Sequence, residues 1–270
     1  MKKSKRKTKK FLNAIKRNGI KNLPELVYIE LLRLFTKITS FGKNKVSVMK
    51  EDWDYLIVLD ACRYDTFKEI YKDYFPNAVL KKKISKGAHT KEWAKKNFKE
   101  FYKDVVYVSA NPLISTYDNN GNFKGTDHFK IEPVWDYGWD DKLDKVPTKK
   151  VNQAALKTKK DYEDKRMIIH YLQPHEPWIG KSKLKENFYL KKNLRGAHIK
   201  KPNLSKAKKA YKDNLKLVLK YVSDLVKNLD GKIIITADHG ESFGEKLIFE
   251  HFSGVYTKSL TEVPWLKIKK

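Results

Sequence analysis

Four short segments of this chain bring together carboxylate and imidazole side chains, the groups that bind divalent cations in proteins. Asp60 follows the apolar run Tyr-Leu-Ile-Val-Leu, and the pair Asp238-His239 follows Ile-Ile-Ile-Thr-Ala. His175 stands in Gln-Pro-His-Glu-Pro after another apolar run, and His251 lies in Glu-His-Phe-Ser-Gly. A single aspartate after a strand is often only a helix N-cap. Four such segments with an adjacent Asp-His pair indicate a metal site instead.

The elements that must position these side chains appear as alternating apolar patterns. Short runs rich in β-branched residues predict strands at 55–59, 105–108, 167–172, 233–236 and 263–268. Helical spacing predicts helices at 65–74, 90–101 and 206–229. This alternation is typical of an α/β domain with a parallel sheet, in which ligands bind beyond the carboxyl ends of the strands. We therefore expect Asp60, His175, Asp238 and His239 at one edge of the sheet, with the segment of His251 folding back over it.

Two long stretches between these elements are predicted to be loops. Residues 111–147 are rich in Gly, Asn, Asp and Trp, and residues 180–205 are strongly basic. Long loops often carry function, and the second one follows the segment of His175. Its lysines, with Arg195 and His198, are expected either to form a positive rim for a large anionic substrate or to be an ordinary solvated surface.

Composition narrows the compartment and the partners. The formal net charge of +27 favours an anionic partner, but only six of the 59 basic residues are arginines, so specific nucleic-acid binding is not favoured. The chain has no apolar run long enough for a membrane span and no apolar region after its basic amino terminus, so we expect a cytoplasmic protein. Its single cysteine, Cys62, agrees with a reducing compartment and leaves His, Asp and Glu as candidate metal ligands.

Residues 1–50 are predicted to form a basic amino-terminal segment that contains an amphipathic helix at 23–38. This helix can pack on the rest of the chain, or it can lie with its neighbouring lysines on an anionic membrane surface as a peripheral contact. Residues 51–270 are predicted to form one catalytic domain, since no linker or repeat divides them.

Four motifs resemble, in their order, a known group of enzymes. They are Leu-Ile-Val-Leu-Asp60-Ala-Cys-Arg, Gln-Pro-His175-Glu-Pro, Ala-Asp238-His239-Gly-Glu and Glu-Val-Pro264-Trp. Together they resemble the sulfatase-like branch of the alkaline phosphatase superfamily, which contains arylsulfatases, phosphoglycerol transferases and phosphoethanolamine transferases. The resemblance covers about residues 53–265. It implies a three-layer α/β/α sandwich with a mostly parallel, alkaline phosphatase-like sheet.

The resemblance also implies roles for the metal-site residues. Asp60 matches the family's first metal-binding aspartate, and Asp238 with His239 matches the pair that completes the shell of that metal. His175 and His251 match positions that bind a second metal or the anionic oxygens of the substrate. Zinc, manganese or magnesium is the implied cation, and calcium fits the imidazole content less well.

The resemblance also implies a nucleophile one helix after Asp60, at the amino terminus of a helix. The segment Gly-Ala-His-Thr-Lys-Glu-Trp at 87–93 fits this position, and Thr90 is the predicted nucleophile and a fourth metal ligand. The alternative role of Thr90 is a simple helix cap, and Ser85 and His89 are the other candidate nucleophiles.

Three departures from the family pattern shift the expected substrate away from sulfate esters. Cys62 lacks the proline of the motif Cys-x-Pro-x-Arg that formylglycine sulfatases carry, so Cys62 is expected to be a buried packing residue. Ala61 stands where sulfatases have a second aspartate. The chain ends soon after Trp265, so we expect no carboxy-terminal sulfatase subdomain.

The resulting expectation is a metal-dependent hydrolase or transferase that acts on a phosphate ester or phosphodiester through a covalent Thr90 intermediate. The substrate would be an anionic ester on a glycan or a lipid headgroup. The residues leave three alternatives open, which are a sulfatase, an inactive metal-binding protein and a polyanion-binding protein.

Overall fold

The computed structural model describes residues 23–40, 42, 44–117, 123–184 and 203–269. Its strands are β1 (Tyr55–Leu59), β2 (Val79–Ile84), β3 (Val105–Ser109), β4 (Lys130–Pro133), β5 (Arg166–Tyr171), β6 (Lys232–Thr236), β7 (Ser242–Phe243), β8 (Phe249–Glu250) and β9 (Glu262–Lys269). Its helices are α1 (Leu23–Thr39), α2 (Tyr64–Ile70), α3 (Thr90–Asn97), α4 (Val134–Tyr137), α5 (Thr148–Asp161), α6 (Leu204–Val226) and α7 (Lys258–Thr261).

The central sheet has the strand order β2-β9-β6-β1-β5-β3-β4. Strands β6, β1, β5, β3 and β4 run parallel, whereas β9 is antiparallel to both β6 and β2. The predicted, mostly parallel sheet is therefore confirmed. Because the parallel strands end at the same edge, polar residues that follow them are brought together there.

Helices cover both faces of this sheet, as the packing of the buried strand β1 shows. Ile57 and Leu59 belong to the core cluster that contains residues of α2, α5 and α6. Leu56 and Val58 belong to a second cluster, which contains Trp93 of α3. Side chains alternate between the two faces of a strand, so a strand with helices on both sides must be apolar throughout. The expected three-layer α/β/α sandwich is confirmed.

Some elements differ from the sequence-based expectation. The helix predicted at 90–101 ends at Asn97, because Phe98 has an extended backbone and packs edge-on against Trp93 with ring centroids 5.2 Å apart. The predicted helix at 65–74 divides into α2 and a 3₁₀ turn at Tyr71–Asp73. The stretch 111–147, predicted to be a loop, contains β4 and α4.

The amphipathic helix predicted at 23–38 is present as α1. Its Leu32 side chain packs in a small core cluster with residues that lie near the sheet edge. Val46 and Val48 belong to the core cluster that contains Leu56, Val58 and Trp93. The domain boundary expected at residue 50 stays a prediction. Residues 1–22 and most of the basic loop, including Arg195 and His198, lie outside the described residues. No helix in the described ranges is long and apolar enough to cross a membrane.

Candidate active site

Three strand ends meet at the carboxyl edge of the sheet, and backbone hydrogen bonds hold them together. Asp60, after β1, donates its backbone N–H to the Tyr171 carbonyl of β5 across 3.1 Å. The Asp60 carbonyl accepts the backbone N–H of His175 at 3.1 Å. The Ala61 N–H donates to Asp238 Oδ1, after β6, at 3.2 Å. The sheet therefore brings Asp60, His175 and Asp238 together although they are far apart in the chain.

Asp60, His170 and Asp238 form a buried group that we call the carboxylate cluster. One ligand atom from each of the three lies within 4.8 Å of the others. His239 adjoins this cluster, because its Nε2 atom lies 3.6 Å from Asp60 Oδ1 and 3.3 Å from Asp238 Oδ2. Asp60 is 2% exposed, and the other three residues are fully buried.

Several polar atoms of this cluster lack a hydrogen-bond partner. These atoms are Asp60 Oδ1, Asp238 Oδ2 and His170 Nε2, and no group in the described part of the chain forms a hydrogen bond with them. Burial raises the pKa of Asp60 well above its ordinary value, and the neighbouring charge of Asp238 raises it further. Two buried carboxylates side by side are costly, and Lys145 only partly offsets the charge of Asp60, whereas a divalent cation would satisfy all three atoms. This donor set of carboxylate and imidazole fits a zinc-like ion.

His175, Glu241 and His251 form the imidazole cluster, in which one ligand atom from each lies within 4.8 Å of the others. His251 Nδ1 lies 3.2 Å from Glu241 Oε2, and the rings of His239 and His251 have centroids 4.3 Å apart. Burial lowers the pKa of His251 to about 3 and the pKa values of His175 and His239 well below their ordinary range. These imidazoles are therefore neutral near pH 7, the state in which they can bind a cation.

Thr90 begins α3 beside both clusters. Its Oγ1 atom lies 3.4 Å from His239 Nε2, and the residue is 2% exposed. The cap of α3 is His89, whose Nδ1 accepts the backbone N–H of Lys91 at 3.2 Å. The alternative role of Thr90 as the cap is therefore not what the structure shows. Its hydroxyl group faces the carboxylate cluster at the amino terminus of a helix, where negative charge is favoured.

The two other candidate nucleophiles have structural contacts. Ser85 Oγ donates a hydrogen bond to the Asp238 carbonyl and accepts one from the Gly87 N–H at 3.2 Å. A side chain at position 87 would lie 2.4 Å from the backbone nitrogen of Trp93, so the turn before α3 requires glycine there. Ser85 thus fastens the turn that presents Thr90, and His89 caps the helix. The role of Thr90 as nucleophile stays a prediction.

Besides Glu241, to which the sequence analysis gave no role, three further site residues were missed by it. Asn111 Nδ2 donates to Asp60 Oδ2 and lies 3.5 Å from Thr90 Oγ1. Asn111 follows β3, so the strand-end argument could have found it. His170 lies within β5, and its Nδ1 is 2.9 Å from the Tyr107 hydroxyl, a contact that depends on the strand register.

The third missed residue, Lys145, is fully buried next to the site. Its Nζ atom donates to the His175 carbonyl at 2.7 Å. Burial lowers the pKa of Lys145 to about 7, and the nearby charge of Asp60 acts in the opposite direction. Lys145 thus positions the backbone of His175. No sequence signal separates this lysine from the many others.

The segment after Asp60 is held in an unusual backbone conformation. Ala61 has φ +57°, in the left-handed region that residues other than glycine rarely adopt. Tyr211 of α6 fixes this turn, because its hydroxyl group donates to the Ala61 carbonyl at 2.7 Å and accepts the Arg63 N–H at 2.8 Å. Cys62 is buried in the core beside the site, as expected for a packing residue.

No protein-family model and no curated protein matches this chain. Solved structures do match. The soluble domain of lipooligosaccharide phosphoethanolamine transferase A from Neisseria meningitidis is 13% identical, with a TM-score of 0.53 over 83% of this chain and 78% of that one. The C-terminal periplasmic domain of EcEptC from Escherichia coli, in complex with zinc, is 12% identical, with a TM-score of 0.57 over 84% and 76% of the two chains.

A third match is the integral membrane protein lipooligosaccharide phosphoethanolamine transferase A from Neisseria meningitidis, which is 14% identical with a TM-score of 0.52. The alignment covers 83% of this chain but only 49% of that one, so this chain spans about half the length of that transferase. The expected cytoplasmic location is wrong on this comparison, because the matched proteins include a periplasmic domain and an integral membrane protein. A low cysteine count is compatible with either compartment, so it could not decide the location.

The comparisons agree with the architecture described above. The chain has the fold of the soluble domains of phosphoethanolamine transferases. The resemblance to the sulfatase-like branch of the alkaline phosphatase superfamily is thereby confirmed at the level of the fold.

Proposed function

We propose that this chain is a divalent-cation-dependent enzyme that transfers or hydrolyses a phosphate ester or phosphodiester, with Thr90 as the nucleophile. One observation supports this proposal above all others. The buried Thr90 hydroxyl group lies 3.4 Å from His239 Nε2, and this nitrogen lies near an unpartnered oxygen of each of two buried carboxylates. Phosphoethanolamine transferases share the fold, which supports phosphate ester chemistry in general.

Asp60, Asp238, His239 and Thr90 would hold the cation, and the unpartnered His170 Nε2 would face it from β5. When bound, it would lower the pKa of the Thr90 hydroxyl group and offset the negative charge of the substrate. Zinc, manganese or magnesium fits the mixture of imidazole and carboxylate better than calcium does. The Asn111 amide, which contacts both Asp60 and Thr90, would keep these two groups in register.

The chain's own residues would then carry the group transfer in two steps. Thr90 Oγ1 forms a bond to phosphorus while the bond from phosphorus to the leaving oxygen breaks, and the hydroxyl proton passes to the leaving oxygen or to solvent. A phosphate monoester gives phosphothreonine, whereas a phosphodiester gives a threonine phosphodiester that keeps the second ester group. Water or an acceptor alcohol then attacks the same phosphorus and regenerates the Thr90 hydroxyl group. His175 and His251, as neutral imidazoles, would contact the equatorial oxygens or hold a second cation. The substrate would be an anionic ester on a glycan or a lipid headgroup.

Replacement of the nucleophile tests this proposal. Thr90→Ala is expected to lower the turnover of bis(4-nitrophenyl) phosphate by about a thousandfold or more, because no hydroxyl group remains to form the covalent intermediate. Zinc bound per chain, measured on the same preparation, should fall much less, since three ligands remain. Thr126→Ala is the matched control. The Thr126 hydroxyl group lies outside the site and donates a hydrogen bond to the Thr116 carbonyl at 3.3 Å.

Two further measurements complete the test. Peptide mass analysis of the wild type after addition of bis(4-nitrophenyl) phosphate should find a 4-nitrophenylphosphoryl group on Thr90. Unchanged turnover in Thr90→Ala would contradict the assignment and transfer the test to Ser85→Ala and His89→Ala. Turnover of an aryl sulfate in preference to the aryl phosphate would replace phosphate with sulfate as the substrate class.

A further inference from the structure

Helix α1 has two apolar faces, and the described residues of the chain cover one of them. On the inner face, Ile29 and Leu32 are buried. On the outer face the exposed apolar residues fall within about a third of the helix circumference at 3.6 residues per turn. These residues are Val27, Leu31, Leu34, Phe35 and Ile38, which we call the outer stripe. Leu31, Leu34, Phe35 and Ile38 are each between 58% and 65% exposed.

The outer stripe continues onto a neighbouring turn. Tyr28 of α1 donates its hydroxyl hydrogen to the Lys246 carbonyl at 2.6 Å. The next residue, Leu247, is 77% exposed. A contiguous apolar surface of this kind on a polar protein marks a site of contact with another molecule or a membrane.

The charge around α1 indicates which partner this surface suits. The 22 residues that precede α1 contain ten lysines and arginines and no acidic residue. Lys37 lies in the last turn of α1, and Lys246 precedes Leu247. An apolar helical face combined with a dense run of positive charge fits the interface of a bilayer that contains anionic lipids. A second copy of this chain, with its net charge of +27, would instead be repelled.

The inner face of α1 connects this surface to the candidate active site. Leu32 shares a core cluster with Ala88, two residues before Thr90, and with Phe252, which follows His251. The Tyr256 N–H donates to Thr36 Oγ1 of α1 at 3.1 Å. The helix therefore packs directly on the two segments that carry the predicted nucleophile and one histidine of the imidazole cluster.

We infer that the outer stripe of α1, with Leu247, docks on the surface of an anionic lipid bilayer and holds the active site beside the lipid headgroups. The apolar side chains of the outer stripe enter the interface, while Lys37 and Lys246 beside them contact the anionic headgroups. That a lipid headgroup is the substrate rests on the proposed function, because a phosphate ester enzyme would use a phosphorylated headgroup presented in this way. The docking itself does not depend on that chemistry.

Vesicle sedimentation with the full chain tests the docking. The probes are phosphatidylcholine vesicles with and without phosphatidylglycerol. The wild type is expected to sediment with the anionic vesicles, and the triple variant Leu31→Gln, Leu34→Gln, Ile38→Gln should bind them at least about tenfold more weakly. The matched control replaces Val79, Phe101 and Tyr137 with glutamine, since these are exposed apolar residues outside α1. This control should bind like the wild type.

Each other outcome counts against the inference. A wild type that stays in the supernatant, or a triple variant that binds like the wild type, would overturn it. Self-association of the wild type that the triple variant abolishes, without vesicle binding, would make a second copy the occupant. Turnover of soluble bis(4-nitrophenyl) phosphate separates the two proposals. The triple variant should keep the wild-type rate, whereas Thr90→Ala should lose turnover and still sediment with vesicles.

Discussion

The carboxylate cluster and the imidazole cluster lie side by side, but they are built in different ways. Asp60 directly follows β1, Asp238 comes two residues after the last residue of β6, and His170 lies within β5, so the sheet fixes their backbones. His175 and His251 stand in connecting segments and are only partly buried. The rigid cluster suits a bound ion, whose ligands must keep their geometry, and the peripheral cluster suits a substrate that enters and leaves.

The two clusters also differ in their charge balance. Glu241 of the imidazole cluster lies beside His251 and accepts the Ser242 N–H at 3.0 Å. The carboxylate cluster places two acids together, and oxygens of both lack a hydrogen-bond donor among the described residues. A bound cation would therefore offset more buried negative charge in the carboxylate cluster than in the imidazole cluster. Three substitutions separate these roles.

The largest effect is expected from Asp238→Asn in the carboxylate cluster. This variant replaces one of the two carboxylates that would hold the ion, so zinc bound per chain should fall sharply. Turnover of bis(4-nitrophenyl) phosphate should fall by about a thousandfold or more, because both the nucleophile and the substrate charge depend on the cation. The control is Asp224→Asn, whose carboxylate pairs with Lys227 on the exposed side of α6. If Asp238→Asn kept the zinc content and the turnover of the wild type, the proposed metal site would be wrong.

A smaller effect is expected from His251→Gln in the imidazole cluster. On the proposed function, His251 would contact the transferred group, so loss of this neutral imidazole should lower kcat by about ten- to a hundredfold. Zinc in the carboxylate cluster should stay near the wild-type level. His128→Gln is the control, since His128 stacks on Phe123 with ring centroids 4.9 Å apart, away from the site. If His251→Gln lost as much zinc as Asp238→Asn, the two clusters would be a single metal centre.

The smallest effect concerns the stability of metal-free protein. In the folded chain, burial and then Asp238 raise the pKa of Asp60 above its unfolded value of about 4. The contribution of protonated Asp60 to the free energy of unfolding is therefore fully present below pH 4, and it is lost as the pH rises towards the pKa of Asp60 in the folded chain. In chelator-treated protein, Asp60→Asn should be about 1–2 kcal/mol more stable than the wild type at pH 8 and equal to it near pH 4.

Urea denaturation at both pH values measures this difference, with surface residue Asp73 replaced by asparagine as the control. Zinc should reverse the order at pH 8, since only the wild type keeps both carboxylates for the ion. If metal-free Asp60→Asn were less stable than the metal-free wild type at pH 8, other groups of the protein would already offset the charges of the two carboxylates, and this prediction would be wrong.

The sequence allowed the meeting of Asp60 and Asp238 at one sheet edge to be predicted because of where these residues occur. Asp60 and Asp238 follow apolar runs directly, and parallel strands end at one edge of a sheet. The case of His170 differs, since it belongs to the run itself. It faces the site only because β5 pairs with β1 in the register that places His170 beside Val58. A register of long-range pairs is set by tertiary packing, which one sequence does not display.

The elements that escaped prediction have a common physical cause. β2 is an edge strand with the sequence Val-Leu-Lys-Lys-Lys-Ile, and it is mostly exposed or half-buried. α5 is rich in lysine and buries a narrow stripe that includes Val151 and Ala155. Both elements need the sheet to be stable, so their local patterns were weak. The central strands, buried on both faces, had the strongest signal and were predicted within one or two residues.

The left-handed backbone of Ala61 has a consequence for how such a site can change over evolutionary time. Glycine, asparagine and aspartate accept a positive φ more readily than β-branched residues do, so neutral drift at this position is narrow. An alanine codon that ends in a pyrimidine is one nucleotide away from an aspartate codon and from a glycine codon. Position 61 adjoins Asp60, and it corresponds to the position at which sulfatases carry their second aspartate. A single mutation could therefore add a third carboxylate to this strand end without rebuilding the turn.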